Sequence, residues 1–415
     1  MPFFHFSSHQ LMVENCAVSD LINIYGSPTY IYSKQAFIQH YQAFAQAFKG
    51  REHFVCFAVK SNPNIAILQT LAQQGAGFDI VSQGELERVL VAGGDANKVV
   101  FSGVAKTENE IKRALEVGIY CFNVESFAEL KRIQQIAQQL DIKAPIALRV
   151  NPDIDAKTHP YISTGLSKNK FGLPMDLAKE AYVFAQQQSH LEIKGMACHI
   201  GSQITSLQPF LDAVERLKIL INDLKQRGIF LSHIDLGGGL GVSYQGEKVP
   251  SVAEYVAQLE TAFNTEKLRI IIEPGRAISA NAGILVAKVE YLKSQGEHHF
   301  AVVNTGMNDM LRPALYQAQM EIVEVNRALQ REVKILDVAG PICESADFLG
   351  KNRALALAEG DYIALLNAGA YGASMGSNYN SRVQALELLV DGNEAFIIKE
   401  RAPINSLWQW EKLLG

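Results

Sequence analysis

"FVCFAVKSNPN", residues 54–64, decides how this chain is read. Five apolar residues and a cysteine run straight into Lys60, and a polar turn containing a proline follows. An apolar run of this kind, bounded by a turn, predicts a buried strand. An ammonium group is costly to remove from water, so a lysine that ends such a strand needs a reason to be there.

Similar runs recur on both sides of it. They are "TYIYS" (29–33), "FDIVS" (78–82), "VVFSG" (99–103), "YCFNVES" (120–126), "IALRVNP" (146–152), "GMACHIG" (195–201), "HIDLGGG" (233–239) and "RIIIEPG" (269–275). Between them lie segments with apolar residues at three- and four-residue spacing, such as "NIAILQTLAQQG", "GELERVLVAGG" and "ENEIKRALEVG". Each ends at Gly, a natural helix C-terminus. Strand and helix thus alternate about every 20 to 25 residues, the rhythm of parallel βα units. The runs are apolar on both faces, as strands covered on both sides must be. The expectation is an α/β plus β protein: a (β/α)8 TIM-like barrel over residues 29–280.

After about residue 280 the rhythm stops. "ILVAKVEYLKS", "HFAVVNTG", "KILDVAGPIC", "DYIALLNAGAYG" and "AFIIKERA" read as strands without long helices between them. Residues 281–415 are therefore expected to form an antiparallel β domain, joined by residues 1–28, which also lack the βα rhythm.

Composition narrows the function. A chain of 415 residues with 48% apolar and 20% charged residues can bury a large core and suits two domains. The net charge of −5, without a polybasic run, gives no footprint for nucleic acid. No apolar stretch approaches a membrane span, and "MPFFHFSSHQ" has no secretory-signal pattern. Five dispersed cysteines without a CxxC pair fit a reducing compartment, the cytoplasm, and neither a disulfide framework nor a metal site.

In such a barrel the functional site lies at the C-terminal ends of the strands. Lys60, Asp79, Ser82, Arg149, His199, Ser202, Gly237, Gly238, Gly239, Glu273 and Arg276 all fall there. A single buried His or Glu is more often a satisfied core group than a catalyst, but so many at one edge are hard to explain as core chemistry. "DLGGGLG" (235–241) can bring backbone N–H groups close to a phosphate, although a tight βα turn would explain it equally. "EPGR" (273–276) sets a carboxylate and a guanidinium at the end of the next strand. A lysine, a phosphate nest and a strand-end carboxylate together point to pyridoxal 5'-phosphate. The lysine amine bonds the aldehyde, the glycine loop holds the phosphate, and the acid keeps the pyridine nitrogen protonated.

The chain also resembles a known family, the fold-type III (group IV) pyridoxal-phosphate-dependent decarboxylases, which share an alanine-racemase-like barrel, and within them the diaminopimelate decarboxylases. "FAVKSNPN", "FDIVSQGELE", "FSGVAKTENEI", "NVESFAEL", "LRVNPDIDAKTHPYISTGLSKNKFG", "HIGSQI", "DLGGGLG", "EPGRAI", "MNDMLRPALYQA", "GPICESADFL" and "NAGAYGASMGSNYN" carry the resemblance in family order. It implies that Lys60 is the Schiff-base lysine and that His199 stacks on the cofactor ring. It implies that Ser202, Gly238, Gly239, Gly275, Arg276 and Tyr371 hold the phosphate and that Glu273 pairs with the pyridine nitrogen. Cys343 would be the proton donor. Arg276, Arg312, Tyr316, Glu344 and Tyr371 would meet the substrate, meso-diaminopimelate, which is decarboxylated to L-lysine. The resemblance further implies a homodimer with shared active sites, Cys343 reaching the neighbour's cofactor. "VVNTGMND" departs from the family pattern, with Asn304 where an Asp is common.

Substrate choice has a physical side. The distal end of diaminopimelate carries a carboxylate and an ammonium, so its reader needs a cation and an anion. "RPALY" offers Arg312, with Tyr316 one helical turn on, and Glu344 can meet the ammonium. A decarboxylase of another basic amino acid or of carboxynorspermidine on the same scaffold, a racemase, and a non-catalytic regulator that has lost the cofactor are the alternatives. Arg312 with Glu344 weighs against simple diamine-forming substrates. "GPICES" weighs against a racemase. Retention of Lys60, Glu273 and Cys343 weighs against a regulator.

Overall fold

The computed structural model describes residues 3–48, 50–155, 169–244, 246–264, 267–329 and 331–415. The quoted segment 148–172 therefore lies partly outside the described residues. Contacts divide the chain into two compact units, one of residues 38–242 and 248–277, the other of residues 1–37, 243–247 and 278–415.

The first unit is a closed parallel barrel. Its eight strands are β1 (His53–Ala58), β2 (Gly77–Ile80), β3 (Val99–Phe101), β4 (Cys121–Val124), β5 (Ala144–Asn151), β6 (Leu191–Ala197), β7 (His233–Asp235) and β8 (Arg269–Ile272). They pair in chain order, and β8 closes the ring on β1. Strands β2, β3 and β4 are buried at every residue, as the two-sided apolar pattern requires. Cys56, Val100 and Ile271, from β1, β3 and β8, cluster together across the interior. Cys121, Ala147 and Ala197, from β4, β5 and β6, form a second such cluster.

Local chemistry starts and stops the helices where the sequence predicts. Thr107 and Glu110 form a reciprocal capping box at the head of helix Glu108–Val117, and Gly118 ends it at φ +70°. Such a cap is worth about 1 kcal/mol. Asn64 caps helix Ile65–Gln73 by accepting from the Ala66 N–H at 3.0 Å, which explains part of the polar turn after Lys60.

The second unit is built on a nine-stranded, mostly antiparallel sheet. Its longest strand, Gly283–Gln295, pairs antiparallel with His298–Val303 and Tyr362–Leu365. The strand Thr29–Ser33 belongs here and not to the barrel. It runs antiparallel to residues 283–286 and parallel to Leu386–Asp391. All five of its residues are buried. A strand covered on both faces shows the same pattern in either sheet, and only its hydrogen-bond partners distinguish them. Residues before it share the unit's core: Phe4, Leu11, Val13, Val18 and Leu21 pack with Ile31, Ile284 and Leu388.

Candidate active site at the barrel strand ends

Strand β1 ends in a single 3-10 turn, Val59–Ser61, which carries Lys60 just past the barrel wall. The Ser61 hydroxyl donates to the Ala58 carbonyl at 2.8 Å and holds this turn tight. The Lys60 ammonium is paired with the carboxylate of Asp79 from β2. The lysine side chain is 38% exposed and that of Asp79 is fully buried. The lysine therefore stands at the mouth with its charge compensated from inside.

Behind it lies a buried polar cluster. The Asn123 side-chain amide of β4 donates to Ser102 Oγ at 3.1 Å, to Asp235 Oδ2 at 2.9 Å and to Glu273 Oε1 at 3.2 Å. The Ser102 hydroxyl also faces Glu273 Oε1 at 3.3 Å. Asp235 Oδ1 accepts from the Gly237 N–H at 2.9 Å. Burial, with Asp235 and Asp79 facing it, pushes the Glu273 carboxyl well above the usual range. Burial raises Asp235 to about 6, while Asn123 and Glu273 act against that rise. Burial and the neighbouring carboxylates thus raise the affinity of Glu273 for a proton.

His199 follows β6. Its Nδ1 accepts from the Gly238 N–H at 3.2 Å, which leaves the ring proton on Nε2. Desolvation, with the cations of Arg149 and Lys60 nearby, pushes its pKa well down, so the ring is neutral. Arg149 is committed elsewhere: it pairs with Glu125 at 2.7 Å and lies 4.8 Å from the centre of the Phe171 ring.

The glycine segment after β7 packs too tightly for side chains. A Cβ on Gly238 would run into the Glu273 carbonyl, and one on Gly239, at φ +111°, would sit 2.5 Å from the Gly201 carbonyl. A Cβ on Gly275 would sit 3.0 Å from the Cβ of Ser61 and 3.1 Å from that of Ala58. The buried Arg276 opens the short helix Arg276–Ser279 and donates to Ser202 Oγ at 3.3 Å. Close backbone, a guanidinium and a hydroxyl gathered at these loops form a cradle suited to a phosphate. A cavity of about 180 Å³ is bordered by Lys60, Ser102, Asn123, His199 and Glu273, among others. A cradle that only glycine can form, and a cavity that joins a strand-end amine to an acid of raised proton affinity, fit pyridoxal phosphate.

The remaining predicted residues lie in the second unit. Arg312 and Tyr316 share the short helix Arg312–Tyr316. The Arg312 side chain is buried, its guanidinium 4.7 Å from the centre of the Tyr244 ring and its Nη1 3.6 Å from Met320 Sδ. Cys343 and Glu344 are exposed on the loop after strand Lys334–Ala339. Asp347 staples that loop, accepting from the Met307 N–H at 2.6 Å and the Ile342 N–H at 2.7 Å. Asn380 accepts from the Cys343 N–H at 2.8 Å, and the Tyr379 hydroxyl bonds the Glu344 carboxylate. Pro313 and Ala314 of the short helix and Ser345 and Ala346 of the loop border one cavity of about 390 Å³. Tyr371 is half-buried at φ +54°. Asn304 accepts from the Lys288 N–H and donates to Ser27 Oγ, each at 2.9 Å. A carboxylate there could make the second bond only by accepting from the serine hydroxyl.

Reading by strand ends missed Asn123, Asp235 and Glu125. The first two were legible only as polar residues inside "YCFNVES" and "HIDLGGG". One candidate changes meaning: Ser82 caps helix Gln83–Val91, accepting from the Glu85 N–H at 3.2 Å.

The family model described as "Pyridoxal-dependent decarboxylase, pyridoxal binding domain" matches residues 34–280. This gives the class that the barrel, lysine and glycine cradle define. Over 415 residues, the full length of both chains, the protein is 58% identical to a diaminopimelate decarboxylase of Haemophilus influenzae. It superposes with a TM-score of 0.92 on the crystal structure of diaminopimelate decarboxylase from Helicobacter pylori complexed with L-lysine, at 42% identity, covering 95% of this chain and 98% of that one. The M. jannaschii diaminopimelate decarboxylase in co-complex with L-lysine gives 0.94 at 34% identity, covering 99% and 98%. The chain belongs to the diaminopimelate decarboxylase family.

Proposed function

We propose that the protein decarboxylates meso-diaminopimelate to L-lysine and carbon dioxide with pyridoxal phosphate as cofactor. One observation carries this reading: a single cavity joins Lys60, His199 and Glu273 at the strand ends, in a chain that spans the full length of its diaminopimelate decarboxylase relatives. Pyridoxal phosphate supplies the electron sink for the pair released when the carboxyl group leaves.

The chain's own groups do the rest. Lys60 would hold the cofactor through its amine. His199, held neutral by burial, would cover the ring of the cofactor without adding a charge to it. Gly238, Gly239, Gly275, Arg276, Ser202 and Tyr371 bind the phosphate, and Glu273 holds a proton at the ring nitrogen. Arg312, with Tyr316, takes the distal carboxylate of the substrate and Glu344 its distal ammonium. Arg276 and Tyr371 border the substrate as well. Cys343 returns a proton to the carbon that has lost its carboxyl group. The exposure of Cys343 and Glu344 supports a homodimer in which this loop serves a second copy's cofactor site and the β unit completes it. Five free cysteines support a cytoplasmic setting, and no helix among the described residues is long and apolar enough to cross a membrane.

The test is carbon dioxide release from meso-diaminopimelate, ornithine and arginine measured side by side. Release from diaminopimelate alone is expected. Comparable release from ornithine would overturn the substrate assignment.

A further inference from the structure

Asp79, Asp235 and Glu273 are three of the carboxylates buried in the barrel unit, each no more than 8% exposed. Asp79 has Lys60 as its counter-ion. Asp235 pairs with no cation among the described residues, and it is held by two neutral donors, the Gly237 N–H and the Asn123 amide. Asp235 does not border the cavity, whereas Asn123 and Glu273 do. Its influence on a ligand must therefore pass through those two side chains.

The geometry fixes the direction of that influence. One Asn123 amide reaches both carboxylates, at 2.9 Å and 3.2 Å. The Asn123 carbonyl of the main chain is itself gripped by the buried Lys106 ammonium at 2.9 Å, which also pairs with Glu129 at 2.7 Å. The backbone from which the bridge springs is thus held in place. A second anion this close cannot be relieved by water, so it raises the proton affinity of its neighbour. The upward displacement of Glu273, with Asp235 the charge that contributes most to it, agrees.

We propose that Asp235 and Asn123 are positioning residues that act through Glu273 on the ring nitrogen of pyridoxal phosphate. In the cofactor-free protein Asp235 and burial raise the affinity of the Glu273 carboxyl, at the cavity wall, for a proton, and Asn123 ties the two carboxylates together. Glu273 gives this proton to a ring nitrogen brought against it: the O–H bond breaks, an N–H bond forms, and Glu273 retains the electron pair. The Glu273 carboxylate that results, made more basic by Asp235, is the stronger acceptor for the positive ring's N–H, and Asn123, bonded to both carboxylates, holds it in place. This rests on the reading of Glu273 as the ring-nitrogen partner.

The test compares pyridoxal phosphate with its deaza analogue, in which C–H replaces the ring nitrogen. The full-length protein is freed of cofactor, and the dissociation constant of each compound is measured by absorbance titration for the unsubstituted protein, Asp235→Asn, Asn123→Ser and Glu273→Gln. The unsubstituted protein should prefer the nitrogen compound by at least about tenfold, the scale of a charge-assisted hydrogen bond. Asp235→Asn should narrow that gap to about threefold or less, chiefly by weakening the nitrogen compound. Binding of the analogue doubles as the check that the variant is folded. Should Asp235→Asn not fold, Asn123→Ser is read in the same way. Equal weakening of both compounds, or an unchanged gap, overturns the proposal. If Glu273→Gln itself leaves the gap intact, the reading of Glu273 fails instead.

Discussion

The Lys60 ammonium rests on the carboxylate of Asp79, one strand away, and the acid is fully buried while the lysine reaches the open cavity. Removing the lysine would leave a buried anion without its partner. Lys60→Ala should therefore lose nearly all turnover and also destabilise the cofactor-free protein by about 2 kcal/mol, a value reduced for the partial exposure of the lysine. Adding Asp79→Asn should recover part of that stability and none of the activity. Borohydride treatment of the active protein should fix the cofactor on Lys60, read by peptide mass. A label on another lysine would refute its role.

Arg312 is buried against the Tyr244 ring, so its charge has been brought out of water for a purpose. Arg312→Ala should lower kcat/KM for diaminopimelate by about 2–4 kcal/mol, the scale for a buried charge pair that loses one member. A melting curve controls for lost packing. Unchanged turnover would make Arg312 a structural residue and undercut the substrate assignment.

The buried acids give a pH signature. The Asp235 carboxyl is raised to about 6 in the folded protein, against about 3.9 in an unfolded chain. The folded state therefore binds its proton more tightly. The stability this contributes is complete below the unfolded value and is lost as pH rises through about 6, at up to about 1.4 kcal/mol per pH unit. Urea unfolding of the cofactor-free protein from acid to neutral pH should show that decline relative to Asp235→Asn. If the two curves run parallel, the carboxyl titrates normally.

Sharing of sites between subunits can be read from mixtures. If Cys343 serves the neighbour's cofactor, a mixed dimer of Lys60→Ala and Cys343→Ala chains has one site lacking both groups and one with both intact. Random exchange makes about half the dimers mixed, so about a quarter of all sites should regain activity. Exchange is confirmed by co-purification of differently tagged chains. Should activity stay absent after that, each chain supplies its own Cys343.

The sequence alone determined the βα rhythm, the change to antiparallel strands near residue 280, and the edge at which Lys60, His199, Gly238, Glu273 and Arg276 collect. These are consequences of period and chain order: a parallel strand must be apolar on both faces, and its last residue always points to the same end of the barrel. The family motifs added Cys343, Glu344 and Arg312, which no periodicity reveals. Tertiary structure decided which sheet receives Thr29–Ser33, since a doubly buried strand has the same pattern wherever its hydrogen bonds go. It decided that Ser82 is a helix cap. It also decided that Asn123 and Asp235, 112 residues apart in the chain, meet at 2.9 Å and converge on Glu273. A polar side chain within an apolar strand does not show in the sequence which way it points or what it finds there. That depends on closure of the barrel, which brings the ends of β3, β4, β7 and β8 around one interior, where Ser102, Asn123, Asp235 and Glu273 bond one another.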